Sequence, residues 1–311
     1  MKVEKTLGGK VKLPNFIIAG GVATGTSFLS AALSHHPEIY LPRIQRPEPN
    51  FFHYTEKFDK GLDWYSNTWF AEVRDELAVG ERSSLLLPST KAPTRIHESL
   101  ASVKLIFCLR NPIERAWGNY RFSVLEGLET LPFHEAIEIE SQRSTQAEGR
   151  WAEVQPHAYL ARSRYSNSLL EYIQLFGSHN ILLLKSEELG NEPQETLKRV
   201  CEFLGVDPEF QLPIPPNYSS PSVRDPSVQE RLRSHFGTRF PDLIEGIRKN
   251  DLILDTFEST EDLSMLEELR LNLSDGKQPL SSADRIRLNE LLSDEVAKIA
   301  KLVDFNVDDW V

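Results

Sequence analysis

Cysteine is scarce in this sequence, and acidic residues outnumber basic ones. Two cysteines in 311 residues cannot form a disulfide framework. No Cys-x-x-Cys or His-x-x-x-His pair of the kind that binds zinc occurs, so we expect no metal site. The formal net charge of −11 argues against a nucleic-acid partner, because a general nucleic-acid-binding protein needs a basic surplus.

Long apolar runs are absent as well. No uninterrupted apolar segment is long enough to cross a bilayer, and residues 1–15 lack the apolar centre of a secretory signal. We therefore expect a cytoplasmic protein with no membrane partner and a flexible N-terminus over residues 1–15, whereas its oligomeric state stays open. Hydrophobic residues still make up 40% of the chain, which is enough for a large core.

A glycine-rich stretch at residues 16–29, FIIAGGVATGTSFL, predicts a buried strand, a tight loop and the first turn of a helix. Glycines let such a backbone approach a ligand closely, and hydroxyl groups there lie beside the free N–H groups of the helix start. The glycines are Gly20, Gly21 and Gly25, and the hydroxyl residues are Thr24, Thr26 and Ser27. This arrangement favours an anion, with phosphate as the expected group.

Strand and helix patterns alternate from residue 16 to residue 205. This order predicts an α/β fold with a P-loop-like central parallel sheet flanked by helices. Residues 206–311 continue as a loop and helices, which predicts a helical C-terminal closure. We expect residues 1–311 to form one domain.

Two charged residues outside the loop are candidates for chemistry. Glu48 lies between Pro47 and Pro49, whose rings fix the backbone and so could hold a general base in place. Arg110 follows the apolar strand predicted over 104–109, at the strand end where open α/β sheets bind ligands. A solvated loop carboxylate and an arginine that caps its strand through a salt bridge are the structural alternatives.

These pieces, in this order, resemble the sulfotransferases that use 3'-phosphoadenosine 5'-phosphosulfate (PAPS), most closely the bacterial branch similar to heparan sulfate sulfotransferases. FIIAGGVATGTSFLSAALSHHPEIYLP resembles the family's 5'-phosphosulfate loop and its helix, and RPEPNFF resembles the segment that carries its base. VGERSS is similar to its Gly-Glu-Lys-Ser-Pro turn, and LRNPIERAWGNYRF resembles its 3'-phosphate motif. The terminal FNVDDW is similar to the usual ending.

The resemblance implies a role for each matching residue. Glu48 would be the catalytic base that removes a proton from an acceptor hydroxyl or amine, and Arg110 would hold the 3'-phosphate of PAPS and of its product PAP. The acceptor would be a small molecule or a saccharide. The 5'-phosphosulfate would be held by Thr24, Gly25, Thr26 and Ser27, and the further expected neighbours of the nucleotide are Tyr165, Ser220 and Arg224.

Three positions depart from the family pattern. Ala23 stands where the family has its loop lysine, Pro47 where a lysine precedes the base, and Gly118 where a serine partners the 3'-phosphate arginine. We hypothesise that Arg82, together with Arg46 or Arg43, supplies the missing positive charge.

The departures leave a second class open, a catalytically impaired scaffold protein that binds PAP or PAPS. A third alternative is a small-molecule kinase, because the loop spacing nearly matches GxxxxGK[ST]; Thr26 in the lysine position argues against it. The acidic charge favours neutral or cationic acceptors over polyanions.

Overall fold

The computed structural model describes residues 11–43, 47–100, 102–148, 150–215, 221–249, 259–276 and 278–310. Three of the predictions therefore lie outside the described residues: the roles of Arg46 and Ser220, and the flexible tail as far as residue 10. Hydrogen bonding reaches back to Lys12, whose backbone N–H donates to Ser66 Oγ at 2.9 Å. No helix in the described ranges combines the length and apolar composition that crossing a bilayer requires.

A five-stranded parallel sheet forms the centre of the fold. Its strands are β1 (Phe16–Gly20), β2 (Ile39–Tyr40), β3 (Ala78–Arg82), β4 (Lys104–Leu109) and β5 (Ile181–Lys185). Their order is β2-β3-β1-β4-β5, and all four pairings are parallel. Every residue of β1 is buried, as expected for a strand covered on both faces. The predicted α/β class with a central parallel sheet is confirmed.

Helices connect and follow the strands. In chain order, the first are α1 (Thr26–Leu33), α2 (Thr55–Phe58), α3 (Gly61–Trp69), α4 (Ala92–Ser99), α5 (Pro112–Leu125), α6 (Phe133–Glu138), α7 (Glu140–Gln146) and α8 (Arg150–Val154). The others are α9 (Ser166–Phe176), α10 (Ser186–Asn191), α11 (Pro193–Leu204), α12 (Pro226–Phe236), α13 (Phe240–Lys249), α14 (Thr260–Asn272) and α15 (Ser282–Ile299).

The chain divides into two compact units. Unit 1 consists of the described residues of Met1–Asn111, Tyr165–Pro216 and Glu295–Asp309, and it contains the sheet. Its core packs apolar residues of β1 and α1 against those of α11, with Ile18, Leu29 and Val200 fully buried. The prediction of one domain over residues 1–311 stays a prediction.

Unit 2 consists of the described residues of Pro112–Arg164, Asn217–Asp294 and Trp310–Val311. It contains an antiparallel pair of two-residue strands, β6 (Ser222–Val223) and β7 (Leu273–Ser274), which are too short for a sequence pattern to predict.

A buried arginine on α5 joins several elements of unit 2. Arg115 is 2% exposed, and its Nε donates to Ser163 Oγ at 2.8 Å. Its Nη1 donates to Asn119 Oδ1 at 3.1 Å, and its Nη2 donates to the carbonyl of Tyr159. Because these acceptors lie on α5 and on the segment before α9, Arg115 ties that segment to α5.

Candidate active site

The glycine loop lies at the carboxyl end of the sheet, where open α/β folds bind their ligands. It follows β1, which lies between β3 and β4. Arg82 is the last residue of β3 and lies opposite Ile18 of β1 in the parallel register, whereas Arg110 comes directly after β4. The sheet order therefore brings two arginines to the two sides of one loop.

The loop backbone adopts left-handed conformations at two positions. Gly25, with φ 92°, is the N-cap of α1, and a Cβ there would lie 3.1 Å from Leu189 Cδ1. Glycine is thus required at this position both by conformation and by close packing. Ala23 has φ 64°, which is uncommon for a residue with a side chain.

The predicted hydroxyl ligands are not equally available. Thr24 is 2% exposed, and its Oγ1 donates to the carbonyl of Gly21 at 2.7 Å, so this hydroxyl is used inside the loop. Thr26 is also buried, whereas Gly25 and Ser27 are exposed. Of the three predicted hydroxyl ligands, only the Ser27 side chain is therefore exposed to a ligand. Thr24 and Thr26 can contribute their backbone N–H groups.

An anion such as a phosphosulfate fits the residues that are present. Helix α1 has no side-chain cap on its first N–H groups and no acidic residue in its first turn. Uncapped N–H groups and the positive end of the helix dipole both favour an anion. Arg82 Nη1 donates to Ser27 Oγ at 3.0 Å, and Arg110 Nη1 donates to the carbonyl of Ala23 at 3.1 Å, so two guanidinium groups contact the loop.

Glu48 is held in one orientation by several donors. Its Oε1 forms a salt bridge with Nη1 of Arg82, the same atom that contacts Ser27. Its Oε2 accepts from Ser84 N at 2.7 Å, from Ser84 Oγ at 2.8 Å and from Asn50 Nδ2 at 3.2 Å. The side chains of Arg82 and Glu48 are 7% and 14% exposed. The structure thus brings three predicted residues together, because one guanidinium joins the candidate base to the loop.

The backbone around Glu48 is held by a lysine as well as by the prolines. Lys57 on α2 donates from Nζ to the carbonyl of Glu48 at 3.2 Å and to the carbonyl of Pro49 at 2.5 Å. The aromatic pair that follows, Phe51 and Phe52, is fully buried and belongs to the core. Lys57 and the buried aromatic pair therefore anchor the segment that carries Glu48.

A second carboxyl group is buried behind the Glu48 segment. Ser83 Oγ accepts from the backbone N–H of Asn50 at 2.8 Å and donates to Glu81 Oε1 at 3.0 Å. Burial raises the pKa of Glu81 to about 8, and the Glu48 charge acts in the same direction, although the hydrogen bond from Ser83 opposes the rise. Burial therefore favours the protonated form of Glu81 well above the pH at which a free carboxyl group ionises.

The Arg110 side of the loop is supported by α9 and α10. Tyr165, 2% exposed, precedes α9 and donates from its hydroxyl to the carbonyl of Arg110 at 2.6 Å. Glu187 of α10 accepts from the backbone N–H of Asn111 at 3.5 Å. Tyr165 thus lies beside the predicted 3'-phosphate arginine and fixes its backbone.

One further predicted residue of unit 1 pairs elsewhere. Arg43 is exposed and pairs with Glu72 at 3.4 Å. Gly118 lies on α5 and Arg224, which is exposed, lies just after β6; both belong to unit 2. Their roles at the nucleotide stay predictions.

Three supporting residues were not predicted from the sequence: Ser84, Asn50 and Lys57. A signal existed only for Ser84, whose hydroxyl lies in a polar turn after a strand. The contacts of Ser84 and Asn50 depend on how the β3 end packs against the 47–50 segment. Lys57 reaches that segment from a helix that follows it.

The fold and the site together define a class: a P-loop-like α/β protein with two arginines and a carboxylate at its loop. The model of the sulfotransferase domain family matches residues 13–225, and the chain belongs to this family.

Curated relatives agree with this family. Human heparan sulfate glucosamine 3-O-sulfotransferase 3B1 is 27% identical over 198 residues, which cover 64% of this chain and 47% of the relative. Human bifunctional heparan sulfate N-deacetylase/N-sulfotransferase 2 is 27% identical over 210 residues, covering 63% and 22%. The chain spans less than half the length of these two curated relatives.

A crystal structure of a sulfotransferase from Alicyclobacillus acidocaldarius aligns with a TM-score of 0.66 at 24% identity. The alignment covers 96% of this chain and 99% of that chain. This likeness concerns the fold.

Proposed function

We propose that this protein transfers the sulfuryl group of PAPS to a hydroxyl or amino group of an acceptor. The acceptor is a saccharide or another small molecule. The observation that carries the proposal is the contact of one guanidinium, Arg82, with both Ser27 at the start of α1 and the carboxylate of Glu48. A base and an anion-binding loop held by a single cation suit the transfer of an anionic group to a proton-bearing acceptor. The saccharide class is taken from the relatives, which are named for heparan sulfate.

Each residue of the cluster has one task in this proposal. When bound, PAPS supplies the sulfuryl group on a phosphate leaving group. Ser27 and the first N–H groups of α1 hold the 5'-phosphosulfate, while Arg82 neutralises the charge that builds up there. Glu48 accepts the proton of the acceptor group, and its four donors keep the carboxylate aimed in one direction. Arg110, fixed by Tyr165, holds the 3'-phosphate.

Ala23 favours a second candidate function, a protein that binds PAP or PAPS without catalysis. The family's loop lysine is replaced there, and the loss of one such donor lowers turnover by a factor of roughly a hundred or more. Arg82 and Arg110 contact the loop in unit 1, which leaves two cations for nucleotide binding without the lysine.

Calorimetry with PAP and a transfer assay with labelled PAPS separate the two functions. The acceptor panel contains neutral, amino and sulfated saccharides and small phenols. Glu48→Gln should retain PAP affinity but lose transfer by about a hundredfold to ten-thousandfold, the usual contribution of a general base. Glu72→Gln is the matched control, because Glu72 is an exposed carboxylate of the same unit that forms a salt bridge with Arg43.

The outcomes are distinct. PAP binding without transfer to any acceptor would favour the non-catalytic protein, and a Glu48→Gln variant with normal turnover would remove Glu48 from the role of base. If PAP does not bind, both functions are wrong.

A further inference from the structure

A further carboxylate, Glu187, lies next to Asn111, the residue after the arginine assigned to the 3'-phosphate. It stands in the first turn of α10, and its Oε1 accepts from the N–H of Asn111, the residue after Arg110, at 3.5 Å. The neighbours of Glu187 on α10 contact the glycine loop. A Cβ on Gly25 would meet Leu189 at 3.1 Å and Ser186 Oγ at 3.6 Å. Helix α10 therefore places a negative charge at the edge of the proposed nucleotide site.

One oxygen of this carboxylate is poorly solvated. Glu187 Oε2 is buried and has no hydrogen-bond partner within the described ranges. Burial raises the pKa of Glu187, while the backbone N–H groups of Glu187 itself and of Asn111, together with the charges of Arg110 and Lys185, partly oppose the rise. Arg110, which follows β4, and Lys185, the last residue of β5, are the cations whose charges act on it. Lys185 is also engaged by Asp309 at 2.6 Å.

We propose that Glu187 neutralises Arg110 when the nucleotide is absent, and that its carboxylate takes up one proton from solvent when a phosphate binds to Arg110. This inference rests on the proposed function, which assigns the 3'-phosphate to Arg110. The incoming phosphate draws the guanidinium charge to itself and adds negative charge next to the carboxylate. A buried oxygen without a donor is relieved of that repulsion by protonation. The proton goes to the carboxylate, and no other bond changes.

Linkage gives the sign of the pH effect. Because the complex holds more protons than the free protein and free nucleotide, PAP binds more tightly as pH falls, by up to about tenfold per pH unit. The phosphates of PAP contribute with the opposite sign if they release protons on binding. At pH 8 they are already ionised, since the second pKa of a phosphate monoester is about 6. The measurement therefore belongs at pH 8.

The test is isothermal titration calorimetry of the full chain with PAP at pH 8 in three amine buffers of different ionisation enthalpy. The slope of observed against ionisation enthalpy gives the number of protons taken up. We expect a value approaching one for the wild type and near zero for Glu187→Gln. Glu188→Gln is the matched control, because Glu188 is the next residue on α10 and pairs with Arg199 at 3.1 Å. It should behave like the wild type.

A second measurement does not depend on any variant. The infrared difference spectrum of the wild type with and without PAP should gain a protonated-carboxyl band, and thermal melting checks that each variant is folded. PAP binding without proton uptake, or uptake that persists in a folded Glu187→Gln variant, overturns the inference but leaves the proposed function standing. A missing carboxyl band overturns it as well. If PAP fails to bind, the proposed function and the inference both fall.

Discussion

Replacement of Glu81 by glutamine tests how the ionisation of this buried carboxyl group, which lies behind the candidate base, affects stability. Burial raises the pKa of Glu81 from 4.5 to about 8, so the folded protein keeps a proton that the unfolded chain releases. Between these pH values the folded state binds more protons than the unfolded state. The contribution of Glu81 to the free energy of unfolding therefore falls as pH rises from about 4.5 to about 8.

The size of this effect follows from the shift of the Glu81 pKa. At about 1.4 kcal/mol per pH unit, a rise from 4.5 to about 8 corresponds to about 5 kcal/mol of unfolding free energy. Glutamine cannot ionise, and its carbonyl can accept the Ser83 hydrogen bond that Glu81 Oε1 accepts at 3.0 Å. The unfolding free energy of Glu81→Gln should thus be close to that of the wild type near pH 5. By pH 9 it should exceed the wild-type value by several kcal/mol.

Urea unfolding of both proteins from pH 5 to pH 9 measures the difference. Glu129→Gln serves as a control of opposite sign. Although burial would raise the pKa of Glu129, hydrogen bonds from Arg143, Leu131 and Tyr159 lower it overall. That group adds stability above its unfolded pKa, and the stability is lost on acidification, so Glu129→Gln should be most destabilised at neutral pH. Parallel pH curves for the wild type and Glu81→Gln would refute the reasoning.

Two further substitutions probe the backbone of the loop and the core of unit 2. Ala23→Gly should raise the unfolding free energy by up to about 1 kcal/mol, because glycine adopts φ 64° without the steric cost of a side chain; a loss of stability in urea would contradict this. Arg115→Met should lower the unfolding free energy by about 3 kcal/mol, because the buried oxygens of Ser163, Asn119 and Tyr159 lose their donors. Thermal melting tests it, and an unchanged midpoint would show that these acceptors find other partners.

The fold was predictable because its signals are local. The apolar runs of β1 and β4 and the helix after the glycine loop each appear in a short window, and their alternation predicts a parallel sheet. The strand ends place Arg82 and Arg110 at the carboxyl edge of the sheet, since parallel strands share one such edge. The order β3-β1-β4, which brings both arginines to the loop, is a tertiary feature that the local pattern does not contain. The pair β6 and β7 gives no such signal, because two residues cannot show a period.

The sequence predicts those site residues whose side-chain chemistry is itself informative, but not the contacts that hold them in place. Glu48 was identified by its prolines and by family resemblance, but its support comes from residues selected by tertiary packing. Asn50 bonds to the carboxylate, to Ser83 and to Leu85 N, and it has φ 43°. No pattern around Asn50 predicts that three-way contact. The unequal exposure of the loop hydroxyls also depends on packing, which buries Thr24 and Thr26 but leaves Ser27 exposed.

The missing lysine and the proton taken up by Glu187 both change the net charge at the glycine loop. Arg82 and Arg110 contact the loop, but Glu48 pairs with Arg82 and the charge of Glu187 acts against that of Arg110, so these four formal charges sum to zero. A lysine in place of Ala23 would make the sum positive before any ligand arrives. Without it, α1 supplies only the partial charge of its N-terminus, roughly half a unit. Protonation of Glu187 restores one net positive charge when the phosphates bind. On this reasoning Ala23→Lys should reduce the pH dependence of PAP affinity, because the added ammonium takes over part of the charge that the proton supplies.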